Sequence, residues 1–333
     1  MDADTMIARA QVLADDVLFP AALTVDQADW IPESTIQSLV EQGFYGIAAP
    51  AETGGLGEPD MAVAVRILET LASGCLATAF TWMQHHGPVL TAAYCEQPGI
   101  REKWLAPLAS GELRGGIALA GARQGGLAVR RTGDGYLLNG SVPWVTGWDM
   151  IDLVHVAALD DSGNVVFLLM DAVASESLGP ELNDLVAARA SRTVTLTFRD
   201  HLVPVDRFTG AQPFADWQRA EASGSALNGA LALGVATRCH RLLGDDAAGN
   251  GFADEIDACR AALIAADAGS TPAARAVASE LALRAATTLM VQTGSRSVLT
   301  GNPAQMLLRE AGFLLVFGTR PLIRDALLAR ISR

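Results

Sequence analysis

Apolar positions along this chain change their spacing twice. Up to about residue 112 they recur every three or four residues, the period of helices that bury one face. In STIQSLVEQG, Ile36, Leu39 and Val40 form such a face, opened by Pro32-Glu33-Ser34 and ended by Gly43. Further helices are predicted over residues 61–72, 77–94 and 100–111, after the Gly/Pro-rich loop GFYGIAAPAETGGLGEP. Beyond Arg114 the period becomes two. GGIALA, GYLLNG, VPWVT, DLVHVAAL, NVVFLLMD and TVTLTF are short alternating or β-branched runs parted by Gly, Asp and Asn turns. In TVTLTF, Thr193, Thr195 and Thr197 alternate with Val194, Leu196 and Phe198, which predicts a strand with one wet face. From Pro213 the helical period returns over 217–243, 253–266 and 273–292, then in a closing pair joined at Phe317-Gly318-Thr319. DDAAGNG, between the first two, reads as a short flexible linker.

Strands and helices are therefore segregated, which argues against Rossmann and α/β-barrel patterns. The expected fold is α+β and multidomain: an N-terminal helical domain (1–114), a central β-barrel or sandwich domain (115–210) and a C-terminal helical bundle (211–333). A length of 333 residues suits two or three domains, and the 50% hydrophobic content supplies ample core. No run approaches the ~18 apolar residues of a membrane span. The acidic start MDADTM lacks a signal-peptide pattern, so a cytoplasmic location is expected. Cys75, Cys95, Cys239 and Cys259 are scattered, as free thiols in a reducing compartment would be.

Charge and motifs narrow the chemistry. With 24 basic and 37 acidic residues the net charge is −13, which disfavours nucleic acid and anionic membrane as partners. The single lysine, Lys103, lies in an ordinary helical context, which sets aside Schiff-base chemistry and a P-loop. His85, His86, His155, His201 and His240 show no metal-ligand spacing, so no metal is expected. No GxGxxG follows a strand, and no GxSxG elbow occurs.

Several phrases, in order along nearly the whole chain, resemble the acyl-CoA dehydrogenase family. Gly43-Phe44-Tyr45-Gly46-Ile47 through Pro50 and Glu52-Thr53-Gly54-Gly55-Leu56-Gly57 match its "GL.GI..PEEYGGLG". His86 and REKWLAPLASGEL match its next helices, and Tyr136–Gly140 with Trp144–Gly147 match "GY.LNG.K.WIT". Ser191-Arg192 through Phe198 and Val203-Pro204 resemble the strand before the bundle. Gln292-Thr293-Gly294 and Leu307-Leu308-Arg309-Glu310-Ala311 resemble "Q..GG" and "LLRDAR", and Phe317-Gly318-Thr319 falls at "YEGT".

The resemblance implies FAD as cofactor, an acyl-CoA or acyl-carrier-protein thioester as substrate, a separate electron-transfer acceptor, and a homodimer or tetramer built through the bundle. In such a site a general base removes the proton α to the thioester while a hydride leaves the β carbon for the flavin. By this likeness Thr146 hydrogen-bonds near flavin N5, Trp144 covers a ring face, and the backbone at Leu119 and Ala120 faces the pyrimidine edge. Read locally, Trp144 is sheet core and Thr146 a strand-end polar residue. Gln292 and Gly294 would reach a neighbouring subunit's FAD, or else form a helix end with its Gly cap. Thr319 is placed among the cofactor-binding residues; locally it N-caps the last helix, with Pro321 in its first turn.

Three departures matter. The family's Thr-Glu-Pro and Gly-Ser hydroxyls are replaced by Ala120-Gly121-Ala122-Arg123-Gln124-Gly125-Gly126, where Arg123 is either a phosphate contact or an exposed loop charge. HRLLGDDAAGNGFADE stands where the family has "R.QFG". Phe317 stands where many members carry the catalytic Glu, and Phe accepts no proton. Glu221, one turn before Gly224 on the first bundle helix, is the surrogate base, or else a solvated helix-start Glu. Glu310 matches a structural acid. Three functions follow: a dehydrogenase with an unorthodox base, a non-catalytic or partner-dependent subunit of a heteromer, and a flavin-dependent monooxygenase on the same fold.

Overall fold

Six helices precede the first strand, and their boundaries follow local chemistry. The computed structural model describes residues 2–58, 60–123, 125–244 and 251–332, with backbone alone at 222 and 223. The expected linker falls mostly outside them. α1 (Ala3–Leu13) is capped by the Asp2 carboxylate and continues through a wide π-helical turn, Ala14–Leu18, into α2 (Phe19–Gln27). α3 (Glu33–Glu41) ends where Gly43 takes φ 83°. α4 (Met61–Gly74) is N-capped by Asp60, and α5 (Leu76–Tyr94) and α6 (Ile100–Ser110) follow.

One mixed sheet of eight strands comes next. β1 (Gly115–Ala118) leads into the short helix α7 (Ala120–Arg123). The rest are β2 (Leu127–Arg131), β3 (Gly135–Val145), β4 (Leu153–Leu159), β5 (Asn164–Asp171), β6 (Leu178–Leu182), β7 (Val194–Pro204) and β8 (Phe208–Pro213). Their order is β6-β7-β3-β2-β4-β5-β8, with β1 parallel to β4 beside that path. The sheet has a core of its own, which Leu178 of β6 shares with Val166 and Met170 of β5. GYLLNG and VPWVT, two runs in the sequence, form one strand. Register shifts between Leu138 and Gly140 and between Val142 and Val145 absorb Gly140 and Pro143 while pairing to β7 persists.

The bundle comprises α8 (Phe214–Gly224), α9 (Gly229–Leu243), α10 (Phe252–Ile264), α11 (Thr271–Thr293), α12 (Pro303–Val316) and α13 (Pro321–Ile331). The single helix expected over 217–243 is broken by a 3₁₀ turn, Ser225–Asn228. Gly224, Ser225, Asn228 and Gly229 are weak helix formers, so little opposes the break. α9 lies so close to α4 that a Cβ on Gly234 would stand 2.5 Å from both Ala72 Cβ and Glu69 O. The N-terminal helices and the bundle accordingly share one apolar core. Ion pairs stitch the same seam: Asp15 meets Arg238 at 2.6 Å, and Glu69 meets Arg260 at 2.6 Å. On α13, Ile323 and Leu327 are buried while Leu322 and Ile331 face outward.

His85 joins the first helices to the sheet. Its Nδ1 accepts from the Gly115 N–H at 3.0 Å, so Nε2 carries the proton and faces the carbonyls of Tyr45 and Leu108, each at 3.1 Å. Burial pulls its pKa from 6.5 to about 4. The unfolded chain takes up this proton near 6.5 and the folded chain only near 4, so the stability His85 contributes above 6.5 is lost as pH falls toward 4. Urea denaturation at about pH 7 and about pH 5 is expected to show a smaller fall in stability for His85→Gln than for the wild type. An equal fall in both would contradict this role.

Candidate active site

The end of β3 is shaped by its second bulge. Trp144 sits there at φ 64°, uncommon for an aromatic residue, and its ring is left 60% exposed. Two residues on, Thr146 is buried and its hydroxyl lies 3.1 Å from that of Thr193, which lies 2.8 Å from that of Ser191. Three hydroxyls supply three hydrogens for two mutual bonds, so one end of the chain keeps a donor for another acceptor. Gly147 follows at φ 91°, where a Cβ would press on Ile151 at 2.9 Å and lie 3.4 Å from Thr81 Cγ2. The Thr81 and Thr78 hydroxyls on α5 are buried with no hydrogen-bond partner. No reading of the sequence had singled out either threonine; a polar residue inside the buried stripe of α5 was the available signal.

Leu119 and Ala120 lie where β1 passes into α7. Ala120 is buried, and Leu119 packs beside Ala122, Ala157, Val165 and Trp217. Gly121 lets α7 approach β3, since a Cβ would meet Val142 Cγ2 at 2.7 Å. α7 ends at Arg123, whose Nη2 lies 2.8 Å from Glu221 Oε1. Arg123 is thus an exposed charge, as one reading of the sequence expected, but at a helix end and engaged by Glu221.

Glu221 is not the solvated helix-start residue of the alternative reading. It lies in the last turn of α8 with 15% of its side chain exposed, held between Arg123 and Arg320, whose Nη2 stands 3.3 Å from Oε2. Arg320 also donates to the Glu221 carbonyl at 3.3 Å. Oε2 itself is buried and accepts no hydrogen bond.

Across from α8 lies the turn after α12. Phe317 closes that helix, its ring packed 4.8 Å from Phe80 and 5.7 Å from Phe313. Gly318 takes φ 58°; a Cβ there would stand 3.0 Å from Asn228 Nδ2 and 3.7 Å from both terminal nitrogens of Arg275. Arg275 donates to the Phe317 carbonyl at 2.8 Å and to that of Ser225 at 3.3 Å, while its Nε has no partner. It is 2% exposed, and burial, then the charge of Arg320, lowers its pKa to about 10. The expected N-cap at Thr319 is corrected here: α13 starts at Pro321, its N-cap is Arg320, and no side chain caps it. Proline holds the preceding residue extended (φ −131°, ψ 162°), which moves the boundary one residue on and leaves Thr319 exposed.

Gln292 and Gly294 belong to the far end of α11, about 26 Å from Arg275 along the helix at ~1.5 Å per residue. They do not join this site within one chain. Gly294 does end α11, at φ 69° and ψ −151°, a backbone conformation that favours glycine but not that of a left-handed helical cap. Glu310 is buried, and burial raises its carboxyl to about 8. Among the described residues no group of three His, Cys, Asp or Glu is placed to hold a metal ion.

These residues fit the ring of a flavin. An exposed indole on strained backbone and a hydroxyl chain with a spare donor are both costs in isolation, and both are met by a flat heterocycle with acceptors on its edge. The fit is to the ring end, because Arg123 is engaged elsewhere.

Helices, a sheet ending in this tryptophan, and a helical bundle define a three-part scaffold with its candidate site where sheet, α8 and α13 meet. The family model for the acyl-CoA dehydrogenase N-terminal domain matches residues 2–112. The mitochondrial short-chain specific acyl-CoA dehydrogenase of Bos taurus is 30% identical over 212 residues, 59% of this chain and 50% of that one. The chain thus spans about half the length of such curated relatives. Among solved structures, butyryl-CoA dehydrogenase from Megasphaera elsdenii superposes with TM-score 0.85 at 19% identity, covering 99% of this chain and 98% of that one. A structure described as an electron transferring flavoprotein of Acidaminococcus fermentans gives 0.86 at 21%, covering 100% and 98%. The first third of the chain thus matches the acyl-CoA dehydrogenase N-terminal domain, and the chain as a whole shares the fold of solved acyl-CoA dehydrogenases.

Thr193→Val removes the middle hydroxyl and leaves those of Ser191 and Thr146 unpaired in a buried place. It is expected to cost about 1–3 kcal/mol, read from the shift of a urea unfolding curve. A shift near zero would contradict the hydroxyl chain.

Proposed function

We propose that the chain is a flavoprotein dehydrogenase of acyl thioesters, with Glu221 as the proton acceptor. The observation that carries this reading is Glu221 Oε2: a buried carboxylate oxygen without a hydrogen-bond partner, next to the turn where many relatives keep their base. FAD, when bound, supplies the hydride acceptor. The chain's own residues do the rest. Trp144 offers its ring face, the free end of the Thr146–Thr193–Ser191 chain donates to an acceptor on the flavin edge, and Leu119 and Ala120 bound the same seat. Arg123 and Arg320 hold the Glu221 carboxylate from opposite sides so that Oε2 keeps its aim. Phe80, Phe313 and Phe317 pack together at the end of α12, where Phe317 stands three residues before Arg320. Gln292 and Gly294, about 26 Å along α11 from Arg275 at ~1.5 Å per residue, are read as contacts to another subunit's flavin, with the oligomer interface at that end of the helix.

The test is anaerobic reduction of the bound flavin by acyl-CoA, followed by its visible absorption. Glu221→Gln is expected to lower the reduction rate at least a hundredfold, the lower end of a general base's contribution, with FAD content unchanged. Reduction at the wild-type rate would remove Glu221 from the mechanism.

A further inference from the structure

Four charged side chains meet around the turn after α12, three guanidiniums and one carboxylate. Glu221 answers Arg123 and Arg320. Among the described residues Arg275 donates to two backbone carbonyls, meets no carboxylate and has no partner at Nε, although it is the most deeply buried of the three. A buried cation without an anion is unfavourable, and such groups cluster where a ligand supplies the missing charge. The place is informative. The Arg275 terminal nitrogens flank Gly318, directly after Phe317, whose ring stacks with Phe313 and meets Phe80 edge-on. One turn therefore presents an apolar wall and a cation together. A plain fatty acyl group would match the wall and leave the cation unanswered.

We propose that Arg275, with Arg320 at the same turn, binds a carboxylate carried on the acyl group, so that the substrate class is the monothioester of a dicarboxylic acid. The apolar stem of such a group lies against Phe80, Phe313 and Phe317, and its carboxylate meets the guanidinium that has no anion of its own. This rests on the acyl-thioester reading above. It reverses the sign of the charge next to position 317, where many relatives have a carboxylate. Arg275 also braces the turn through the Phe317 carbonyl, so a purely structural role must be separable in the test.

Succinyl-CoA and butyryl-CoA differ by a carboxylate in place of a methyl group, and their binding to the full chain with its flavin is measured by titration calorimetry. Wild type is expected to bind succinyl-CoA at least tenfold more tightly. Arg275→Gln is expected to abolish that preference, and Arg275→Lys to keep part of it. Should Arg275→Gln fail to give a cooperative melting curve, Arg320→Gln is measured the same way and is expected to narrow the preference. Butyryl-CoA binding as tightly as succinyl-CoA overturns the proposal and leaves the thioester reading standing. Binding of neither overturns that reading and this proposal with it. A preference that survives in both Arg275 variants also overturns the proposal; if flavin is lost at the same time, the guanidinium serves the flavin's phosphates.

Discussion

Arg275 donates at once to the carbonyls of Ser225 and Phe317, and this pair of bonds ties together the break between α8 and α9 and the turn between α12 and α13. Both are places where helices stop, so both expose carbonyls that need donors. A guanidinium on α11 satisfies them from one side chain. The rest of the site hangs from that junction. With the break fixed, the last turn of α8 presents Glu221 toward α7; with the turn fixed, Arg320 reaches Glu221 from α13. Gly318 is needed because its left-handed backbone passes close to Asn228 and Arg275.

The sheet makes its contribution independently. It has its own core, and its register shifts fall twice in β3, the second beside the outward-turned Trp144, and once between Phe167 and Leu168 where β5 pairs with β8. Trp144 is thereby carried on the sheet, while Glu221 and Arg320 come from helix ends.

Much of the fold was legible in the chain because its periods are clean: three-and-a-half-residue spacing before Arg114 and after Pro213, twofold alternation between. β2, β6 and β8 escaped notice because they are short, where alternation has little length to show; β2 also ends in two arginines, and β6 and β8 are edge strands carrying Gly and Pro. β3 looked like two strands because a bulge conceals continuity from a strict twofold count. The site was legible only in part. Phe317, Thr146, Trp144 and Glu221 could be marked from likeness to a family, but the partners of Glu221 come from positions about 100 residues away on either side, and no local pattern announces them. Thr319 was misplaced by one residue because the influence of Pro321 on its predecessor outweighed the capping preference of Thr. Arg275 did leave a trace: it falls on the stripe of Ala274, Ala278 and Ala282 in an Ala-rich helix, an arginine where small apolar residues line a buried face.

A flavin seated against Trp144 is what the proposed function needs first, and the most direct measurement is the stoichiometry of FAD bound to the purified chain, by visible absorption after gel filtration in excess FAD. About one flavin per chain is expected for the wild type. Trp144→Ala is expected to lose at least tenfold in affinity with an unchanged unfolding curve, since its ring is 60% exposed and packs little of the core. A wild-type chain that retains no flavin, or a Trp144→Ala chain that retains it undiminished, would contradict the account.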